Sequence, residues 1–259
     1  MMKKIFILFF GLCSSWANAQ YTPSNAHSHN DYLQVLPFGL AYRQEFGSVE
    51  ADLFLRNDSL FVAHEYGEIE PGRTFEALYL YPVLEACRKN GGSIYPDKSR
   101  QLQLLIDLKT NYASALPALV KVLEPHRAYF YPQGTVKVVI SGSNPEPQHF
   151  SDYPEYIFFD GRPEVNYTDA QLKKVGLISQ SFRNFSQWNG KGIPVEKERQ
   201  VLSGMVEKAH RQQKPLRFWA TPDTPNAWKF LMNLGVDYLN TDKVNELGQY
   251  LRHRKAHEF

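Results

Sequence analysis

The stretch Ser48–Glu65 reads SVEADLFLRNDSLFVAHE and contains two apolar runs separated by an Asn-Asp-Ser turn. The runs cover Ser48–Leu55 and Leu60–Glu65, and this pattern predicts a strand followed by a short extra strand. Side chains of a strand alternate between its two faces, so Glu50 and Asp52 are expected to point the same way. Two carboxylates on one face of such an apolar strand require a neutralising partner.

The alternation of short apolar runs with helical stretches continues through the chain. The other candidate strands are Asn25–Asn30, Leu102–Thr110, Thr135–Gly142, Glu155–Gly161, Val175–Phe182, Leu216–Thr221 and Tyr238–Asp242. The predicted helices are Phe75–Lys89, Tyr112–Leu123, Glu196–Arg211, Pro225–Leu234 and Val244–Arg254. Eight β–α alternations predict a (β/α)₈ TIM barrel. A doubly wound open sheet is the alternative, but no Gly-rich phosphate loop follows the first strand.

The N-terminus has the pattern of a secretory signal peptide. Two lysines precede the apolar run Ile5–Leu12, and the small-x-small cleavage pattern Ala17–Ala19 follows. This apolar run is too short to span a bilayer. We therefore expect residues 1–19 to be removed on export to the periplasm or the medium, and residues 20–259 to form a single barrel domain.

Charge and cysteine content exclude several classes of protein. The full chain has 29 Lys and Arg residues against 27 Asp and Glu residues, and two of the lysines lie in the predicted signal peptide. A mature chain with balanced charge and no basic stripe is not expected to bind nucleic acid. No later stretch is apolar enough for stable membrane insertion. Cys87 is the sole cysteine after cleavage, which excludes an intramolecular disulfide.

Side chains that carry chemistry fall near the C-terminal ends of the predicted strands. They are His27, His29 and Asn30 on the first strand, Glu50 and Asp52 on the second, His64 on the extra strand, Asp107 and Lys109 on the third, and Asp242 on the last. In a barrel the loops at these strand ends build the active site. The carboxylates are hard oxygen ligands, so we expect a divalent cation, Ca²⁺ or Mg²⁺, to neutralise them.

This set of residues resembles that of the phospholipase C-like phosphodiesterases, which include glycerophosphodiester phosphodiesterases and phosphatidylinositol-specific phospholipases C. The resemblance rests on a first-strand His, a Glu-x-Asp pair, a His after a short strand and an Asp-x-Lys pair. It extends over the mature chain through Trp219 and the stretch Gly235–Asp242. The motif HSHNDY at His27–Tyr32 is closer still to a branch that includes the fungal altered inheritance of mitochondria protein 6.

The resemblance implies a role for each of these positions. His29 and His64 become the general acid–base pair, Glu50, Asp52, Asp107 and Asn30 become ligands of the cation, and Lys109 and Trp219 contact the substrate. The implied substrate is a small glycerophosphodiester or phospholipid-headgroup-like phosphodiester. Internal attack by a hydroxyl would give a cyclic phosphate, which is then hydrolysed. Histidine suits both proton transfers because it titrates near neutral pH.

The sequence departs from the glycerophosphodiesterase pattern after the first catalytic histidine. These enzymes usually have His-Arg-Gly and then Pro-Glu-Asn-Thr, whereas His29 is followed here by Asn30 and Asp31. The arginine that anchors phosphate is therefore missing from this position. Arg73 is the candidate replacement, as a substrate-binding residue, and the alternative is that it is a surface residue before the helix predicted to begin at Phe75.

One alternative is a Zn-dependent amidohydrolase or phosphatase barrel. Such barrels begin with His-x-His, as His27 and His29 do here, and end with an Asp after the eighth strand, which Asp242 matches. This interpretation needs further histidines at later strand ends. None of the remaining histidines ends a predicted strand.

A second alternative is a non-catalytic metal- and ligand-binding barrel. The tryptophans Trp188, Trp219 and Trp228 would then stack against a sugar. The presence of both His29 and His64 favours catalysis, since a binding site needs no acid–base pair.

Overall fold

Eight parallel strands close into a barrel in the computed structural model, which describes residues 21–253. The strands are β1 (Ala26–Ser28), β2 (Ser48–Arg56), β3 (Ser59–Val62), β4 (Leu102–Leu108), β5 (Val136–Gly142), β6 (Ile157–Gly161), β7 (Val175–Ser181), β8 (Leu216–Trp219) and β9 (Tyr238–Thr241). Closure comes from β1, which pairs in parallel with both β9 and β2. The extra strand β3 pairs antiparallel with β2 and lies outside the ring. The predicted barrel is confirmed, and the open sheet is excluded.

Helices connect most of the strands and cover the outside of the barrel. They are α1 (Gly39–Arg43), α2 (Tyr81–Lys89), α3 (Tyr112–Leu123), α4 (Asp169–Leu172), α5 (Glu196–Arg211), α6 (Pro225–Asn233) and α7 (Val244–His253). The predicted helix Phe75–Lys89 is divided into a π-helical turn, Glu76–Leu80, and α2. Pro82 lies in the first turn of α2 and has no amide hydrogen to donate, which accounts for the change of hydrogen-bond pattern.

The barrel interior consists of an apolar layer followed by a polar one. The apolar layer contains Leu105, Val139, Phe158 and Leu177, from β4, β5, β6 and β7. Two residues later, the inward positions of the same strands hold Asp107, Ser141, Asp160 and Ser179. Side chains two residues apart share a face of a strand, so these polar groups face the C-terminal mouth of the barrel. The change from apolar to polar residues therefore marks where the site begins.

Several predictions concern residues at or beyond the ends of the described chain. The predicted signal peptide, residues 1–19, lies outside the described residues, as does Arg254 at the end of the last predicted helix. Export and the single domain over residues 20–259 therefore stay predictions. Within residues 21–253, no helix is long and apolar enough to cross a membrane. Cys87 is buried and free.

Removal of the hydroxyl that caps α6 should destabilise the fold. Thr224 accepts a hydrogen bond from the Ala227 amide at 3.3 Å, as its position before the helix predicts. We expect Thr224→Ala to lower the free energy of unfolding by about 1 kcal/mol in urea denaturation. Thr224→Ser keeps the hydroxyl and should stay within about 0.5 kcal/mol of the native chain. An equal loss for both variants would contradict a capping role.

Candidate active site

A pocket of about 280 Å³ opens at the C-terminal end of the barrel. It is lined by His29, Asn30, Glu50, Asp52, His64, Asp107, Lys109, Ser141, Gly142, Arg162, Arg217 and Trp219. Eight of the nine residues predicted to form the site are among them, and Arg73 is not. The strand ends thus bring residues from widely separated parts of the chain into one cavity.

Three carboxylates meet at the base of this pocket. Ligand oxygens of Glu50, Asp52 and Asp107 lie within 4.8 Å of one another. Asp52 and Asp107 are neighbours because β2 and β4 pair in the register that places these two residues side by side. Glu50 and Asp52 are almost completely buried, at 6% and 1% exposure. Like charges this close and this poorly hydrated repel one another strongly.

Protein cations neutralise one side of this acidic cluster. Lys109 Nζ lies 2.6 Å from Asp107 Oδ2 and 3.1 Å from Asp52 Oδ2, and Arg217 lies 2.6 Å from Glu50 Oε2. Burial and the nearby Glu50 charge raise the pKa of Asp52 to about 6, although Lys109 opposes this rise. Burial also disfavours the Glu50 carboxylate, but Arg217, His27 and His29 together outweigh burial and hold the Glu50 pKa well below its usual range.

Two oxygens of the acidic cluster have no partner. Asp52 Oδ1 and Asp107 Oδ1 are buried and accept no hydrogen bond within the described structure. A buried carboxylate oxygen without a donor is costly, so these atoms call for a positive ligand. Carboxylate oxygens are hard donors, and Ca²⁺ or Mg²⁺ suits them better than a soft metal does. The acidic cluster therefore fits a divalent cation.

His27 holds Glu50 in place from inside the barrel. Gln103 donates to Ser48 Oγ at 2.9 Å, Ser48 Oγ lies 2.7 Å from His27 Nδ1, and His27 Nε2 lies 2.7 Å from Glu50 Oε2. Burial and the adjacent Arg217 lower the pKa of His27 to about 3, so the ring is neutral. His27 Nε2 also contacts the Arg217 guanidinium, so the ring lies against both members of the Glu50–Arg217 ion pair. His27 is therefore an internal support for Glu50.

His29 is paired with a carboxylate from the last strand. Its Nδ1 lies 2.8 Å from Asp242 Oδ1. Burial disfavours the charged ring, but the hydrogen bond to Asp242 and the negative charges of Glu50 and Asp242 together outweigh burial and raise the pKa of His29. Asp223 accepts from the Asp242 backbone amide at 3.0 Å, which fixes the position of this partner. The Nδ1 contact leaves His29 Nε2 as the ring nitrogen available for a reaction.

His64 reaches the acidic cluster through a tyrosine. The Tyr32 hydroxyl lies 2.8 Å from Asp52 Oδ2, 3.0 Å from His64 Nδ1 and 2.9 Å from Asn30 Oδ1. Burial raises the pKa of Tyr32, and Asp52 adds to the rise, so the hydroxyl keeps its proton. Because this proton is best donated to the Asp52 carboxylate, the oxygen can accept the Nδ1–H of His64. His64 Nε2 then makes no hydrogen bond within the described structure, and its charged neighbour is Glu65 Oε1 at 4.0 Å.

Arg73 lies in a neighbouring cavity and not in the central pocket. Its backbone carbonyl accepts from the amide of Val62 on β3, which places it on the hairpin outside the barrel ring. Its guanidinium donates to the Tyr32 carbonyl at 2.6 Å. Arg73 therefore does not line the central pocket, and its assignment as the substitute phosphate anchor stays a prediction.

Two other arginines line the pocket, and sequence reasoning did not identify them. Arg162 follows β6, and its guanidinium lies 2.7 Å from the buried Asp160 Oδ2. Arg217 lies in the middle of the apolar strand β8. A charged residue inside an otherwise apolar strand was the signal that could have identified Arg217. Arg162 gave a weaker signal, since only Asp160 two residues before it on the chain hints at a buried ion pair.

The two alternative interpretations find little support in this geometry. Within residues 21–253, the group of side chains with metal-ligand spacing consists of carboxylates and includes no histidine, in contrast to a zinc amidohydrolase. His27 is committed to Ser48 and Glu50. Trp188 and Trp228 are buried, which leaves Trp219 as the tryptophan that lines the pocket among the described residues.

Comparison with known proteins agrees with this architecture. Residues 17–146 match the AIM6-like phosphodiesterase domain, and residues 215–245 match the glycerophosphoryl diester phosphodiesterase family. A crystal structure of a glycerophosphodiester phosphodiesterase from Parabacteroides distasonis superimposes with a TM-score of 0.56 at 14% identity, covering 88% of this chain and 96% of that one. This structural likeness establishes the fold.

Three fungal proteins illustrate the similarity in sequence. The altered inheritance of mitochondria protein 6 homolog of Arthroderma benhamiae is 28% identical, over 88% of this chain and 84% of the relative. The protein of the same name from Eremothecium gossypii is 26% identical, over 88% of this chain and 69% of the relative. The protein of the same name from Saccharomyces cerevisiae S288c is 24% identical, over 88% of this chain and 70% of the relative.

Fold and site together define a barrel of the glycerophosphodiesterase kind, with a phosphodiesterase-type domain. The chain belongs to the AIM6-like phosphodiesterase domain family, whose model covers half of it. The predicted relationship to the phospholipase C-like superfamily is thereby confirmed.

A side chain at Gly142 should damage the acidic cluster. Gly142 has a φ of 70°, and a Cβ there would collide with Asp107 Oδ1 and the Leu108 carbonyl oxygen. We expect Gly142→Ala to weaken Ca²⁺ or Mg²⁺ binding by at least about tenfold in calorimetric titration, because Asp107 must move. Gly192 is the matched control, since its φ is 64° and a Cβ there meets nothing within 4 Å. Equal cation affinities in the two variants would contradict the assignment of Asp107 as a ligand.

Proposed function

We propose that this protein is a metal-dependent phosphodiester hydrolase that uses His29 and His64 as an acid–base pair. Its proposed substrate is a glycerophosphodiester or a phospholipid-headgroup-like diester. The observation that carries the proposal is the pocket itself, in which two imidazoles, each with an Nε2 that makes no hydrogen bond in the described structure, share one cavity with unpartnered carboxylate oxygens. Each imidazole has a polar partner on Nδ1, as a proton-transfer residue requires.

Charge in the pocket supports an anionic substrate. Its lining contains three carboxylates and three permanent cations, Lys109, Arg162 and Arg217, so their charges cancel. A divalent cation held by the three carboxylates would make the pocket positive and would stabilise charge on a phosphate oxygen. Lys109 already contacts two of these carboxylates, and this places its ammonium beside the proposed cation site to hold a further phosphate oxygen.

The two histidines are proposed to have different roles because their partners differ. Asp242 raises the pKa of His29 and stabilises its protonated form, which suits the base that removes a proton from the attacking hydroxyl or water. His64 is half exposed and receives no such carboxylate contact on its Nδ1 within hydrogen-bond distance. Its Nε2 is proposed to protonate the departing alcohol oxygen, which leaves toward solvent.

Export is part of the proposal. The basic, apolar and small-residue pattern of residues 1–19 supports cleavage near Ala19 and function in the periplasm or outside the cell.

A direct assay tests the proposed function. Hydrolysis of bis-p-nitrophenyl phosphate and of glycerophosphodiesters is measured with Ca²⁺, with Mg²⁺ and with EDTA. We expect EDTA to abolish turnover of both substrates. His29→Ala should lower kcat for both by about 10²–10⁴-fold, because each positioned proton transfer contributes that much.

Two controls accompany this assay. His149 is an exposed histidine paired with Asp152 on a helical turn, and His149→Ala should leave turnover unchanged. Thermal unfolding of every variant verifies that the barrel is intact. Full activity in EDTA, or full activity of His29→Ala, would refute the mechanism, and hydrolysis of amides alone with Zn²⁺ would favour the amidohydrolase.

Substitution of Tyr32 separates the two proton transfers. Tyr32→Phe removes the hydroxyl that orients His64 but keeps the buried ring. We expect kcat for a glycerophosphodiester to fall by at least about tenfold, since an alkoxide leaving group needs a proton. Turnover of the p-nitrophenyl diester should change far less, because nitrophenolate leaves without protonation.

The matched control for this experiment is Tyr79→Phe. Tyr79 is also a buried tyrosine, and its hydroxyl donates to Asp31 and not to a histidine. Any change in kcat caused by Tyr79→Phe should therefore be the same for the glycerophosphodiester and the p-nitrophenyl diester. The Tyr32 hydroxyl also donates to Asp52, so cation affinity is measured alongside. If Tyr32→Phe slowed both substrates equally at unchanged cation affinity, His64 would not be the acid.

A further inference from the structure

Exposed aliphatic side chains are concentrated at the end of the barrel that carries the pocket. Leu33, Val35 and Leu36 lie on the loop between β1 and α1, and Ile193 and Val195 lie on the loop between β7 and α5. Val35 is 102% exposed and Ile193 is 90% exposed. Both loops follow the C-terminal ends of strands, so they border the mouth of the pocket.

These loops form part of one continuous sector. The strand order places β8 and β9 between β7 and β1. Asn226, in α6, donates to the carbonyls of Gly190 and Gly192, which joins the β7–α5 loop to the segment after β8. Gln34 donates to the Asp242 carbonyl at 3.0 Å, which joins the β1–α1 loop to the end of β9. We call this sector the apolar arc, and it comprises Leu33, Val35, Leu36, Trp219, Ile193 and Val195.

The exposure of the apolar arc is built into ordered backbone. The Trp188 indole, itself buried, donates to the Lys191 carbonyl at 2.7 Å and fixes the loop that carries Ile193. Asp31 is fully buried and accepts from the Phe38 amide, which closes the loop that carries Val35. Grouped apolar side chains held in water beside a pocket are typical of an interaction surface.

The position of the apolar arc and the charged residues at the same end of the barrel indicate what kind of surface contacts it. Tyr21 donates to the Val236 carbonyl before β9, and Arg252 in α7 donates to Gln44 before β2, so the described chain begins and ends at the opposite end of the barrel. A protein seated on the arc would obstruct the pocket, whereas a lipid surface would present phosphodiesters to it. Glu65 and Glu68 follow β3 at the pocket end, and an anionic surface would repel them.

We propose that the apolar arc docks onto the surface of a zwitterionic phospholipid bilayer and positions the pocket over lipid headgroups. The exposed arc is an observation of the structure, while the choice of a lipid surface and the delivery of a headgroup phosphodiester to His29 and His64 rest on the proposed function. Aliphatic side chains enter the acyl boundary, and Trp219, which also lines the pocket, lies at the level of the headgroups. The substrate class is thereby narrowed to diesters of membrane phospholipids.

Sedimentation with phosphatidylcholine vesicles tests the docking. We expect the native protein to sediment with the vesicles, and Val35→Asp and Ile193→Asp each to lower the partition coefficient by at least about tenfold, since a charge replaces an inserted side chain. Val201 on α5 is the matched control, because it is also an exposed valine but lies on the flank of the barrel. Val201→Asp should bind vesicles as the native protein does.

Activity provides the second readout. Hydrolysis of bis-p-nitrophenyl phosphate in solution should be the same in all three variants and the native protein, whereas hydrolysis of vesicle phosphatidylcholine should fall at least about tenfold in the two arc variants.

Absence of vesicle binding by the native protein, or equal binding by all variants, would overturn the docking and leave the soluble activity intact. Light scattering that shows a dimer lost in both arc variants would also overturn it, because a second copy would then cover the arc. Failure of the native protein to cleave the soluble diester would refute the proposed function without affecting vesicle binding.

Discussion

The mutual repulsion of three carboxylates at the mouth of the barrel is the constraint on which the site depends. Glu50, Asp52 and Asp107 are held within reach of one another by strand pairing, not by their own attraction. Lys109 and Arg217 neutralise one side of this cluster. Asp52 Oδ1 and Asp107 Oδ1 are buried without donors in the described structure, which favours a further positive charge at the site. The same charge would make the pocket a receptor for a phosphate anion.

The barrel tolerates these charges because its strands change character along their length. The apolar layer at the level of Leu105 fills the barrel interior, and the next inward position on that strand is Asp107. One apolar layer beneath the carboxylates keeps water out from below and leaves the mouth as the route of access. The polar supports of the site are correspondingly inside the barrel, as with the Ser48–His27–Glu50 chain of contacts. The apolar layer of the barrel therefore stabilises the fold, and the polar layer next to it on the same strands carries the reactive groups.

Some parts of the site could be predicted from the sequence and others could not. Glu50 and Asp52 share a strand, so their common direction follows from the period of two alone. Arg217 was missed because its partner, Glu50, is far away in the chain and only closure of the barrel brings the two together. Arg73 was proposed as a substitute for the missing phosphate-anchoring arginine, and the structure places it in the cavity next to the central pocket, which His64 also lines.

The amino-acid sequence by itself determined the nine strands, the barrel class and the residue types of the site, because each of these follows from local periodicity or from a short motif. Tertiary structure alone decided which nitrogen of each histidine is free. That choice depends on Tyr32 for His64 and on Asp242 for His29, and these contacts exist only after the strand ends are assembled. It likewise decided that Leu33 and Ile193, which read as ordinary apolar residues, remain in water beside the pocket. Burial is a property of the closed barrel, and no pattern within a single segment encodes it.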